Sequence, residues 1–169
     1  MLDYLQNMAL ANWVRSSPSL FAYTTVLTAH AVGLAIVVGV NTLIALRLLG
    51  VARDIPLAGL RRLYGVVWAG FLVNLISGFL LFIAEAHAMA AMAAFWGKLA
   101  FVAVGMIVAE LLKRYYFADV ASVEAGVVTR VGRNLAITSL VSWYLALIVG
   151  RLTGYPDLVA GWLHVSGGT

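Results

Sequence analysis

One histidine stands well inside an apolar run. His30 lies within LFAYTTVLTAHAVGLAIVVGVNTLIALRLLG, residues 20–50, a stretch long enough to cross a bilayer. An ionisable side chain is costly at that depth, so it tends to face other helices and to carry a function. The imidazole suits three chemistries there. It can ligate a haem b iron, serve as a metal or proton site, or simply hydrogen-bond to a neighbouring helix.

The other candidates follow from depth. His30 is ten residues past the start of its run, about 15 Å at the helical rise, which predicts a position near the bilayer centre. Asn41, eleven residues on, returns to nearly the same face. Met106 lies eight residues past Lys98, about 12 Å deeper, so His30 and Met106 are candidates for two axial ligands at one level. A single histidine ligand is the alternative, and an ordinary core or lipid-facing methionine is the favoured reading of Met106. Lys98 and Arg151 are expected at the outer end, where they could clamp anionic groups such as haem propionates. Snorkelling to lipid headgroups is the plain alternative for each.

A second constellation could hold copper. Glu85 and His87 stand near Met89 and Met92, with His164 in the tail, and thioethers favour Cu(I). Glu110 with Lys113 and Arg114 reads as an interfacial ion pair. Nothing resembles a catalytic triad, a phosphate loop, a zinc-protease helix or a paired-carboxylate site, so an enzymatic activity is left open.

Composition decides what must position these groups. The 169 residues are 63% hydrophobic and 11% charged, against roughly 25% charged in a soluble domain. The chain therefore reads as all-α: a four-helix transmembrane bundle with an N-terminal interfacial amphipathic helix. Spans are expected at about 20–48, 63–85, 95–114 and 134–154. Residues 1–17 form the interfacial helix, with Leu2, Leu5, Met8, Ala9 and Trp13 at helical spacing and no secretory signal pattern. Ser16, Ser17 and Pro18 read as a stop and start signal. The membrane bundle covers 18–155, and 156–169 is a C-terminal tail.

With no cysteine, disulfides, thiolate metal sites and c-type haem attachment are excluded. The net charge of +4 points to topology signals and the lipid bilayer, not to nucleic acid. Arg47, Arg53, Arg61 and Arg62 flank the first loop, and Lys113, Arg114, Arg130 and Arg133 the third. Those are eight of the eleven basic residues. Both loops should be cytoplasmic and both termini outside, with Trp13, Trp96 and Trp162 in the outer aromatic belt. Small residues four apart (Ala29/Gly33, Ala35/Gly39, Asn74/Gly78, Gly105/Ala109) predict close helix packing.

The ordered segments RSSPSL, HAVGLAIVVG with ALRLLG, SGFLLFIAEA, AAFWGKLAFVAV and SWYLALIVGRLTGY resemble a group of small bacterial four-helix membrane proteins of uncharacterised function. Ala45 stands where that pattern would place an acid. The resemblance implies a bacterial inner membrane protein, in which the loop charges would put both termini in the periplasm. A fainter likeness, carried by His30 and Lys98, links the chain to the haem-binding membrane protoporphyrinogen oxidase and to copper-resistance D-type domains. The first of these implies bound haem b and a redox role. Haem b binding for membrane electron transfer is thus the leading expectation. Copper handling and a non-catalytic subunit or assembly module are the alternatives. A redox partner, a membrane complex and a second copy of the chain are the candidate partners.

Overall fold

A computed structural model describes residues 2–16, 20–51, 53–117 and 128–155. These are helical, with no strand among the described residues. In chain order the helices are α1 (Leu2–Gln6), α2 (Ala9–Ser16), α3 (Leu20–Leu49), α4 (Leu57–Leu60), α5 (Leu63–Ala84), α6 (Ala86–Ala91), α7 (Ala93–Leu111) and α8 (Arg130–Leu152). A π-helical turn, Leu112–Tyr116, extends α7.

Four segments are long and apolar enough to cross a membrane: Ala22–Leu49, Leu57–Ala84, Ala93–Arg114 and Arg130–Leu152. Their outward faces carry large apolar side chains such as Leu72, Ile76, Phe79, Ile107, Val141 and Ile148. In water that surface would be a liability, whereas in lipid it is the ordinary solvent-facing side.

The boundaries have local causes. Pro56 sits at the N-cap of α4 with φ −61° and ψ 128°, the extended geometry that precedes a first turn. Helix α8 begins four residues before the expected Asn134, because the Thr129 hydroxyl caps it by accepting from the Gly132 amide at 3.1 Å. The segment HAMAAMAAF forms α6, then breaks at Met92, whose backbone is extended. Pro18, His164 and Trp162 lie outside the described residues, as does the tail beyond Tyr155.

Helix α3 packs along α5 and α8, and α7 along α8. Glycine permits the α3–α5 contact. A Cβ at Gly33 would come within 2.8 Å of two α5 backbone atoms, the Asn74 amide nitrogen and the Gly70 oxygen. The Gly105/Ala109 pair has a similar role, since Gly105 lies beneath the Trp143 indole. The Ala35/Gly39 pair does not. Both residues are exposed, and nothing lies within 4 Å of a Cβ at Gly39.

Two apolar layers fill the interior. Val37, Val38, Val67, Met106 and Trp143 form the middle layer. Ile44, Leu48, Leu57, Tyr64, Leu112 and Phe117 belong to the second, at the far end of α3 from His30. Above the middle layer, toward the start of α3, the packing gives way to polar groups.

Candidate functional site at the His30 junction

Helix α5 presents Asn74, Ser77 and Gly78 on one face, at i, i+3 and i+4. The His30 ring of α3 lies in the notch they make. Gly78 supplies the room, because a Cβ there would sit 2.9 Å from His30 Cε1. The ring Nδ1 is 3.1 Å from the Asn74 backbone oxygen and 3.3 Å from Ser77 Oγ. On the other side of the ring, Nε2 is 3.1 Å from Lys98 Nζ, which arrives from α7. The Lys98 stem runs over Gly150 of α8, whose missing side chain leaves its path open. Three helices thus meet at one imidazole, and α8 backs the lysine that reaches it.

The partners fix the tautomer. A carbonyl oxygen only accepts, so Nδ1 carries the hydrogen and donates to Asn74. The Ser77 hydroxyl donates back to the Val73 oxygen at 2.6 Å, leaving its lone pairs facing Nδ1. An ammonium only donates, so Nε2 is the unprotonated acceptor of Lys98. The Asn74 side-chain amide donates to the His30 backbone oxygen at 2.9 Å. Its 3.3 Å approach to Nδ1 sets two N–H groups together and is not a bond in this tautomer.

His30 and Lys98 then share one positive charge. A protonated ring would place two cations 3.1 Å apart. Among the described residues no carboxylate lies within 4.0 Å of Lys98, and the ion pairs there involve only Asp3, His87, Glu110, Lys113 and Arg114. Two of the three ammonium hydrogens have no described acceptor. The junction therefore offers an electron pair at Nε2, once Lys98 moves aside, and a cation with donors to spare.

The contact fixes the relative level of the two helices. Lys98 is five residues past the start of α7, about 8 Å along that helix. His30 therefore stands level with the first turns of α7. Met106 is a further eight residues on, about 12 Å deeper, and packs with Val37, Val38, Val67 and Trp143. The structure does not bring it to the ring. Asn41 is buried in that inner part and donates to the Val37 oxygen of its own helix. Arg151 stands at the same end as Lys98, next to Gly150. Its Nη2 donates to Tyr155 Oη at 2.9 Å, and the guanidinium lies 5.2 Å from the centre of that ring. It is engaged by Tyr155 and has no described bond to His30.

The copper constellation is placed differently. His87 Nε2 meets Asp3 Oδ1 at 2.8 Å, and its backbone amide faces Gln6 Oε1 at 3.3 Å, so it ties α6 to α1. Glu85 is exposed, and Met89 and Met92 are half-buried. Among the described residues no group of three or more His, Cys, Asp or Glu is placed to hold a metal ion. Glu110 pairs with Arg114 at 2.5 Å and with Lys113 at 3.8 Å, the short-range pairs its spacing suggests.

Asn74, Ser77, Gly78 and Gly150 are the partners that depth reasoning did not select. The first three were visible as a small and polar stripe within an apolar span. Gly150 carried no such signal, since its role comes from the Lys98 stem crossing it.

Comparison of the chain with protein families, with curated proteins and with solved structures found no match.

Proposed function

We propose that the protein is an integral membrane redox protein that takes a b-type haem at the outer end of a four-helix bundle, with His30 as its axial ligand. The observation that carries this reading is the ring's hydrogen bonding. Nδ1–H is committed to the Asn74 carbonyl, which is how metal-ligating histidines are oriented and made more basic. Nε2 is left as the donor atom, covered only by a flexible lysine.

On this reading each residue has a defined part. His30 would hold the iron as a single axial ligand, because Met106 lies about 12 Å too deep along α7. Lys98, displaced from Nε2 along the open face of Gly150, would meet a propionate. Arg151, at the same end, is a second candidate for that role. Bound haem would supply one-electron chemistry at its iron. The chain itself orients the imidazole, keeps Nδ1 protonated and provides the cation. The arginine-rich loops support an orientation with both termini periplasmic, and α1 and α2 would lie at the outer interface.

The test is an absorption spectrum of the detergent-purified protein from haem-replete cells, oxidised and dithionite-reduced. The expected result is a Soret band with sharp α and β bands on reduction. A colourless preparation would sink the proposal.

The Lys98–His30 contact supports a second reading. An ammonium donating to a neutral imidazole at 3.1 Å is a couple across which a proton can pass without any cofactor. A colourless protein whose Lys98→Met variant loses proton-dependent activity in vesicles would favour it.

A further inference from the structure

The opposite end of the molecule holds a pocket that the haem reading does not use. Arg47, Leu48, Gly50 and Arg53, around the end of α3, line it together with Val128 and Arg133 at the start of α8, and its volume is about 270 Å³. Arg47 is seventeen residues along α3 from His30, about 25 Å away. That is the far edge of the apolar span, the level at which lipid phosphates lie.

The local fold arranges the guanidinium groups. Gly50 has φ +89°, a conformation glycine adopts without strain, and the chain turns back there after α3. The Gly50 oxygen then accepts from Arg53 Nε at 3.0 Å. Arg47 Nε donates to the Ile55 oxygen at 2.5 Å. Each side chain spends Nε on the backbone, and its two terminal nitrogens have no described acceptor. Arg133 occupies the first turn of α8, where the helix dipole already disfavours a cation. Among the described residues no carboxylate lies within 4.0 Å of Arg47, Arg53 or Arg133. Three like charges around one cleft repel one another unless an anion sits between them.

We propose that this pocket binds a phosphate group, with Arg47, Arg53 and Arg133 as its donors. Guanidinium forks match phosphate oxygens in pairs, which a lysine cannot do. The pocket is large enough for a phosphate with a glycerol attached, and Leu48 and Val128 give it an apolar side against which a lipid backbone can rest. The phosphate can come from an anionic lipid headgroup or from solution, and the chemistry is shared.

The experiment uses the full chain in phosphatidylcholine nanodiscs. In one arm phosphatidylglycerol is titrated in, and in the other inorganic phosphate is added. Bound anion is read by native mass spectrometry and by broadening of the phosphorus NMR signal. Arg133→Gln is the principal variant, since its side chain is exposed and makes no described bond. Arg61→Gln, outside the pocket, is the control for general surface attraction. Occupancy of one site in either arm, weakened about fivefold by Arg133→Gln and unchanged by Arg61→Gln, supports the proposal. The arm that saturates names the source. No preference for either anion, or equal weakening by both variants, overturns it.

Discussion

The two ends of the membrane-spanning segments are built on opposite plans. At one end Tyr64 and Phe117 meet edge to face, with ring centroids 5.7 Å apart, amid Ile44, Leu48, Leu57 and Leu112. Burial there is nearly complete, and charges are confined to the rim. At the His30 end the same helices enclose an imidazole, an ammonium, an amide and a hydroxyl, with glycines where larger apolar side chains would otherwise pack. The Tyr64 end holds the helices together by contact. The His30 end gives up contact to keep polar groups in register, as a binding site requires.

If that contrast holds, substitutions should separate stability from site behaviour. The largest loss of stability is expected from Phe117→Ala, at about 3–5 kcal/mol, because it leaves a cavity in the inner layer. Reversible unfolding in mixed detergent micelles would measure it. Gly33→Val comes next, at roughly 3 kcal/mol, since a Cβ already meets the α5 backbone within 2.8 Å and the two helices must part. If Gly33→Val is as stable as wild type, the α3–α5 contact described here is wrong.

Asn74→Ala should cost only about 1 kcal/mol, the usual range for an interhelical hydrogen bond in lipid. The ring's bond to the Asn74 carbonyl would survive it. Lys98→Met should change stability by no more than about 0.5 kcal/mol, because it removes a charge with no described counter-ion while keeping the stem. It should nonetheless alter whatever binds at Nε2. A large destabilisation by Lys98→Met would show that the couple is a structural pin. Arg151→Ala, whose described bonds are an exposed contact to Tyr155, should be the mildest, within about 0.5 kcal/mol.

The spans were legible because hydrophobic length is a strong signal, and α3 and α5 fall within a residue of the sequence reading. His30 and Lys98 were legible as costly groups in apolar surroundings. Their contact was not, because depth along each helix was counted from the assumed edge of a span. Helix α3 is 30 residues long, about 45 Å, and longer than α7 with 19, so residues counted from the two helix starts do not share a level. The same offset made Met106 a candidate partner, whereas Lys98 shares the level of His30 and Met106 packs in the core. Arg151 stands at the same bundle end as Lys98, and its side-chain direction depended on Tyr155, four residues on, an aromatic face close enough to take the guanidinium.

If His30 Nε2 is the donor atom of a haem site, the reduced-minus-oxidised spectrum of His30→Ala, taken beside wild type and Met106→Leu purified identically, will show it. The Soret, α and β bands of wild type should persist in Met106→Leu and disappear in His30→Ala. Bands that survive His30→Ala unchanged, or that vanish in Met106→Leu alone, would rule the assignment out.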